Sequence, residues 1–236
     1  MNDAMNLGDF ASALIEFDKT IERLKVAVSK GWANPEYGTA YLERFFSKTV
    51  RMGAQITAAP NRVLQVLPDR WRFSFDESDT GNEKGFYTAN FNDQAWPLVA
   101  TQNITLDAQG FDKNAVMWYR TSFNVPAKHE KLILFFGEVD GASEVYVNGK
   151  KILITMPPVE GKKPAPTSTK PNIAVVPAGK PVREGMAKAR TPFELDITSV
   201  VKPGENIIAL RVDHTKITDL ALGGILRPVL LINKPE

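Results

Sequence analysis

Apolar residues recur at helical spacing over the first quarter of the chain. Phe10, Leu14, Phe17, Ile21, Leu24 and Val28 stand three or four apart, the period of one face of a helix. Lys30-Gly31 supplies a C-terminal stop. A second run carries Tyr41, Leu42, Phe45, Phe46, Val50 and Met52, opening near Pro35, a good first-turn residue. The pattern predicts an antiparallel helical hairpin over 1–57, linked at 31–34. Such a hairpin buries little by itself. Its apolar faces are therefore expected to lie on the rest of the chain or on a neighbour, with Trp32 covering the seam.

Past Pro60 the period shortens. Segment 116–125 reads as extended and stops at Pro126. Segment 132–136 is continuously apolar, the mark of a strand buried on both faces. Segments 144–147 and 151–155 flank Asn148-Gly149, a strong hairpin signal. Segments 193–197, 206–212 and 225–232 read as further strands, with a turn at 202–205. Short strands without intervening helices predict a mainly β fold, an antiparallel sandwich over 62–234. Segment 156–190 interrupts this pattern with seven prolines and seven Lys/Arg against two Glu. It reads as a surface excursion between two strands, and it carries the basic excess of a chain whose net charge is only +2.

That near-neutral balance gives no general attraction for nucleic acid or an anionic membrane. No apolar run of about 18 residues is present to span a bilayer. The absence of cysteine removes disulfides, thiolate metal sites and a Cys nucleophile, and two histidines are too few for a multi-histidine metal centre. Residues 1–10 lack the basic and apolar regions of a secretory signal. Two readings stay open. The chain is cytoplasmic, or it is a piece of a longer protein whose signal lies upstream, which would place it outside the cell or in the periplasm.

Catalytic signatures are sparse. There is no Gly-x-Ser-x-Gly elbow, and Gly223-Gly224 lacks the Lys-Ser/Thr of a phosphate loop. Asp76, Glu77, Asp79, Glu83 and Asp93 do not follow calcium-loop spacing, so no cofactor is expected; structural calcium stays open as an alternative that spacing does not support. Glu138 and Asp140, the nearest carboxylate pair, stand between Gly137 and Gly141 and read as turn formers. His129 reads as a solvated turn residue. His214 follows a strand, where sandwiches present ligand-binding loops. Trp71, Trp96 and Trp118 read as core side chains rather than sugar-stacking platforms.

Several segments, in order, resemble the sugar-binding domain of glycoside hydrolase family 2, the β-galactosidase and β-glucuronidase relatives. They include Trp71-Arg72-Phe73 with Asp76, Asp79 and Gly81, then Phe91-Asn92-Asp93-Gln94-Ala95-Trp96. Trp118-Tyr119-Arg120 running to Phe123 and Val125-Pro126 follows, then Phe136-Gly137-Glu138-Val139-Asp140-Gly141-Ala142 and Val145-Tyr146-Val147-Asn148-Gly149. Pro192-Phe193-Glu194-Leu195-Asp196-Ile197-Thr198 and Gly224-Ile225-Leu226-Arg227-Pro228 complete the series, which spans about 68–232. The resemblance implies a galactose-binding-like jelly roll, non-catalytic by itself, whose acid/base and nucleophile lie on a separate barrel domain. It implies carbohydrate as ligand, and as partner a glycosidase catalytic domain on the same full-length chain or another subunit. Nucleic acid and membrane are not expected partners. In β-galactosidase-like members an Asp shortly before the Gly-Ile-x-Arg segment lines the sugar pocket; the nearest residue here is Asp219, one position out of register. Arg190, His214 and Asp219, which lie in loops that could converge, are the candidate carbohydrate-binding residues, with no catalytic and no metal site. The hairpin has no counterpart in the sandwich and looks like the tail of a preceding domain. The alternative function is a structural module that docks a catalytic domain without binding sugar.

Overall fold

The computed structural model describes residues 1–34, 38–102, 104–154, 189–216 and 223–235. Three helices open the chain: α1 (Asn2–Asn6), α2 (Phe10–Ser29) and α3 (Thr39–Thr57). The Asp9 carboxylate caps α2 by accepting the Ser12 N–H at 3.0 Å. The expected start at Pro35 lies outside the described residues. The apolar stripe of the hairpin, with Phe10, Phe17, Ile21, Val50 and Ile56, packs onto Ile133, Phe135, Leu230 and Ile232 of the sandwich. Phe10 meets Phe135 edge to face, ring centres 5.7 Å apart. Trp32 departs from expectation. It is 74% exposed, and Lys30 Nζ lies 4.5 Å from its ring centre.

Twelve antiparallel strands follow among the described residues: β1 (Arg62–Val66), β2 (Arg70–Asp76), β3 (Leu98–Ala100), β4 (Val116–Val125), β5 (Lys131–Phe136), β6 (Val139–Asp140), β7 (Ala142–Val147), β8 (Lys150–Ile152), β9 (Phe193–Asp196), β10 (Gly204–Asp213), β11 (Gly224–Ile225) and β12 (Val229–Lys234). They form a six-stranded sheet ordered β3-β2-β4-β10-β7-β8, a four-stranded sheet ordered β1-β12-β5-β9, and the small pair β6-β11. The two large sheets face each other across a shared core that includes Phe73, Tyr119, Phe123 and Leu210 from one and Leu132, Leu134, Phe136 and Leu231 from the other. The fold is the expected antiparallel sandwich with helices at its N-terminal end.

The continuous apolar run of β5 now has its cause. Leu132, Leu134 and Phe136 point into the sandwich, while Ile133 and Phe135 point out beneath the helices. Asn148 and Gly149 both take positive φ, 51° and 81°, as the two-residue turn between β7 and β8 requires. One expected strand, 225–232, is divided: Leu226, Arg227 and Pro228 separate β11 from β12, and proline cannot continue a ladder as donor. The pairings of β1, β2 and β3 are set by distant strands, which local pattern alone does not announce.

The outer face of the six-stranded sheet is covered by 77–97. Phe86, Tyr87 and Trp96 pack over Val116, Trp118, Tyr146 and Ala209. Beneath them Arg120 pairs with Asp93 at 2.8 Å and Arg211 with Asp79 at 2.6 Å. Asp76 accepts the Trp118 indole N–H and the N–H groups of Thr80 and Gly81. Asp76, Asp79 and Asp93 therefore close this layer by pairing with protein donors. Trp71 and Trp118 are core, as expected, and Trp96 is half-buried. Among the described residues no helix is long and apolar enough to cross a membrane, and no three His, Asp or Glu are grouped to hold a metal ion.

Candidate functional site

β5 ends at Phe136, and Gly137 and Glu138 carry the chain round to β6. There Val139 and Asp140 pair with Ile225 and Gly224 of β11. This corner needs glycine at 224. Its φ is +76°, and a Cβ there would stand 1.7 Å from the Tyr119 hydroxyl oxygen. Gly224→Ala should thus destabilise the fold by about 2 kcal/mol or more, through left-handed strain and overpacking together. A lowered denaturant midpoint would register this; an unchanged midpoint would contradict the close approach.

The corner delivers Asp140 into the protein. Its side chain is 0% exposed, and both oxygens are engaged. Oδ1 accepts from Arg190 Nε at 2.6 Å. Oδ2 accepts from Arg190 Nη2 at 3.2 Å and from the Gly223 N–H at 3.1 Å, and lies 3.3 Å from His214 Nε2. The other ring nitrogen of His214 lies 3.0 Å from Asn114 Oδ1. Burial pushes the Asp140 carboxyl up, but the hydrogen bonds from His214 and Arg190, with the Arg190 charge, outweigh it and hold the carboxyl below its ordinary value. Arg190 sits at φ +54°, and its N–H bonds the Val139 carbonyl at 2.7 Å, so backbone and side chain are tied to the same short strand.

Glu138 lies on the other side of the same turn, with Arg227 Nε 3.6 Å from its carboxylate. Burial raises the Glu138 carboxyl above its ordinary value; the Asp140 charge adds to this, and Arg227 and Arg190 oppose it. Burial, and then the Asp140 charge, push the Tyr119 hydroxyl well up. The result is a compact set of two carboxylates, two guanidiniums and an imidazole at one end of the sandwich. Beside it opens a cleft of about 360 Å³, lined by Glu77, Lys113, Asn114, Ala115 and Thr215. Asn114 belongs to both the cleft and the His214 contact.

Two of the three sequence-predicted residues meet here. Arg190 and His214 converge on Asp140, while Asp219 lies outside the described residues. His214 is only 1% exposed and contacts Asn114 and Asp140; the Arg190 side chain is 23% exposed. Asp140 itself corrects the turn reading. It is a buried strand residue at the centre of the set, and Asn114 and Arg227 join it unannounced. The one available signal was Glu138-Val139-Asp140 closing a buried run, masked by glycines on both sides. Asp140, with both oxygens committed to donors, is set to hold other groups in place rather than to attack. His129 is a half-exposed turn residue bonded to the Glu130 carbonyl.

No protein-family model matches this chain, and no curated protein matches it in sequence. Solved structures do resemble it. A β-glucuronidase from an uncultured Clostridium species is 21% identical, with a TM-score of 0.52, over 76% of this chain and 30% of that one. A Lactobacillus rhamnosus β-glucuronidase is 23% identical, with a TM-score of 0.53, over 77% and 30%. A Ruminococcus gnavus β-glucuronidase is 21% identical, with a TM-score of 0.51, over 76% and 30%. At these identities the likeness is one of fold: this chain has the same kind of β-sandwich as a portion amounting to about 30% of each of those enzymes.

Proposed function

We propose that this chain is a non-catalytic accessory domain of a larger glycoside hydrolase, meeting carbohydrate at the end of the sandwich built on Asp140. The convergence of Arg190 and His214 on that buried carboxylate, beside a polar cleft, is the observation that carries the reading. The likeness to a minor portion of three β-glucuronidases supports it. In this reading the Arg190–Asp140 pair holds the loops at this end of the sandwich in the arrangement that meets a sugar. His214 braces Asp140 from behind, and Asp219 adds an acceptor. The catalytic domain resides on the same full-length chain or on another subunit.

Calorimetric titration of the 236-residue chain with galactosides, glucuronides and plant oligosaccharides tests this. Millimolar or tighter binding is expected, lost in Arg190→Ala while cooperative unfolding is retained. A folded chain that gives no binding heat across the panel would overturn the carbohydrate role. It would favour the second reading, a docking module, for which the exposure of Leu7, Ile15, Val26, Trp32 and Tyr41 on the helical part speaks.

A further inference from the structure

Helix α3 reaches the Asp140 corner by two routes. The Thr49 hydroxyl, buried in the sheet–helix seam, donates to the Gly137 carbonyl at 2.9 Å. Farther along the same helix face, the Phe46 ring lies 4.9 Å from the Arg227 guanidinium, whose Nε is 3.6 Å from the Glu138 carboxylate. Gly137 is wedged between these contacts: a Cβ there would stand 2.8 Å from Arg227 Cβ and 3.5 Å from the Thr49 methyl. The Gly137 N–H bonds Pro228, and the Glu138 carbonyl accepts from Leu226. The two residues that lead into Val139 and Asp140 are thus gripped by α3 on one side and by 226–228 on the other.

We propose that Thr49, Phe46 and Arg227 are positioning residues, through which the helical hairpin sets the placement of Asp140 and hence of Arg190 and His214. The inference deepens the accessory-domain reading, because it makes the hairpin part of the proposed carbohydrate-facing end. Its core claim is a coupling that can be read without any ligand. The coupling has a plain physical basis. β6 is two residues long and, among the described residues, its ladder is the two-residue pairing with β11, with one further backbone bond from Arg190 to Val139, so the anchors on its N-terminal side help to decide where it sits.

The test is hydrogen exchange by NMR on the full chain carrying Thr49→Val, which removes the hydroxyl but keeps the shape. The probes are the Gly223 amide and the Arg190 Nε–H, both donors to Asp140. Protection at these two is expected to fall by about tenfold, the loss of one buried hydrogen bond, while the amides of Tyr119 and Leu210 at the sheet centre keep theirs. Phe46→Leu, which removes the ring under Arg227 but keeps the seam apolar, should act in the same direction. Unchanged protection at both probes in both variants would overturn the proposal. So would a fall matched at the sheet centre, which would mean general destabilisation. A chain that binds no sugar but shows the selective loss would sink the carbohydrate reading and leave the coupling standing.

Discussion

Asp140→Ala is expected to cost about 3–5 kcal/mol of stability, because it strands the buried partners of an ion pair rather than removing the pair whole. Arg190 would lose its two contacts with the Asp140 carboxylate, His214 the Asp140 contact at Nε2, and Gly223 the acceptor for its N–H. Denaturant unfolding measures this directly. The effect carries a pH signature. The Asp140 carboxyl is held below its ordinary value in the folded chain. Its contribution is therefore complete above the ordinary aspartate range, and is lost as pH falls through the depressed folded value. The gap between the native chain and the alanine variant should be full at neutral pH and narrow only in strong acid. A gap of less than about 1 kcal/mol at neutral pH, the size expected of an exposed pair, would show that the cluster is not closed as described.

Removing residues 1–61 should have a still larger effect. Ile133, Phe135, Leu230 and Ile232 are at most 3% exposed, and the helices are their cover. Exposing an aliphatic or aromatic side chain costs about 1.5–3 kcal/mol each. Four together consume most of the 5–15 kcal/mol by which domains are usually stable. The 62–236 chain is expected to aggregate or to unfold without cooperativity, because it presents an apolar sheet face to water. The milder companion, Phe135→Ala, should cost about 3–5 kcal/mol by opening the contact with Phe10. A cooperatively folded, monomeric 62–236 fragment would contradict the view that the hairpin is a layer of this fold and would mark it as a dispensable appendage.

Much of this architecture could be read from local pattern. The helix period of α2 and α3, the doubly buried run of β5 and the Asn148-Gly149 turn are each written within a few consecutive residues. The cover on β5 was implied as well: a strand apolar on both faces needs a second layer, and the hairpin needs something to cover. Other features resisted for a physical reason. β3 is three residues long and takes its pairing from β2, so its identity is a property of the sheet. β11 and β12 are divided before Pro228, which cannot donate to a ladder, and the contacts of the neighbouring Arg227 with Glu138 and Phe46 are set by distant parts of the chain.

The site was legible by halves. Arg190 and His214 drew notice because both flank strands at loop positions, where ligands are commonly met. That their loops could converge is readable, but not that they meet on Asp140, since those contacts span 50 and 74 residues of chain. Asp140 itself was disguised. Between glycines an Asp is most economically a turn residue, and only the burial of β6 against β11 makes it the hub. Trp32 shows the converse. Its size suggested a covered seam, but the hairpin seats itself through Phe10, Phe17 and Val50, and leaves the indole outside.

Carbohydrate is proposed to meet this chain at the Asp140 end of the sandwich. An NMR titration of the 236-residue chain, with whichever saccharide gives binding heat, addresses it most directly. Saturable shifts are expected, clustered at Asn114, Thr215, Gly223 and the Arg190 Nε–H, and absent in Arg190→Ala. Shifts gathered instead on the helices around Trp32 and Tyr41, or none with any saccharide of the panel, would contradict it.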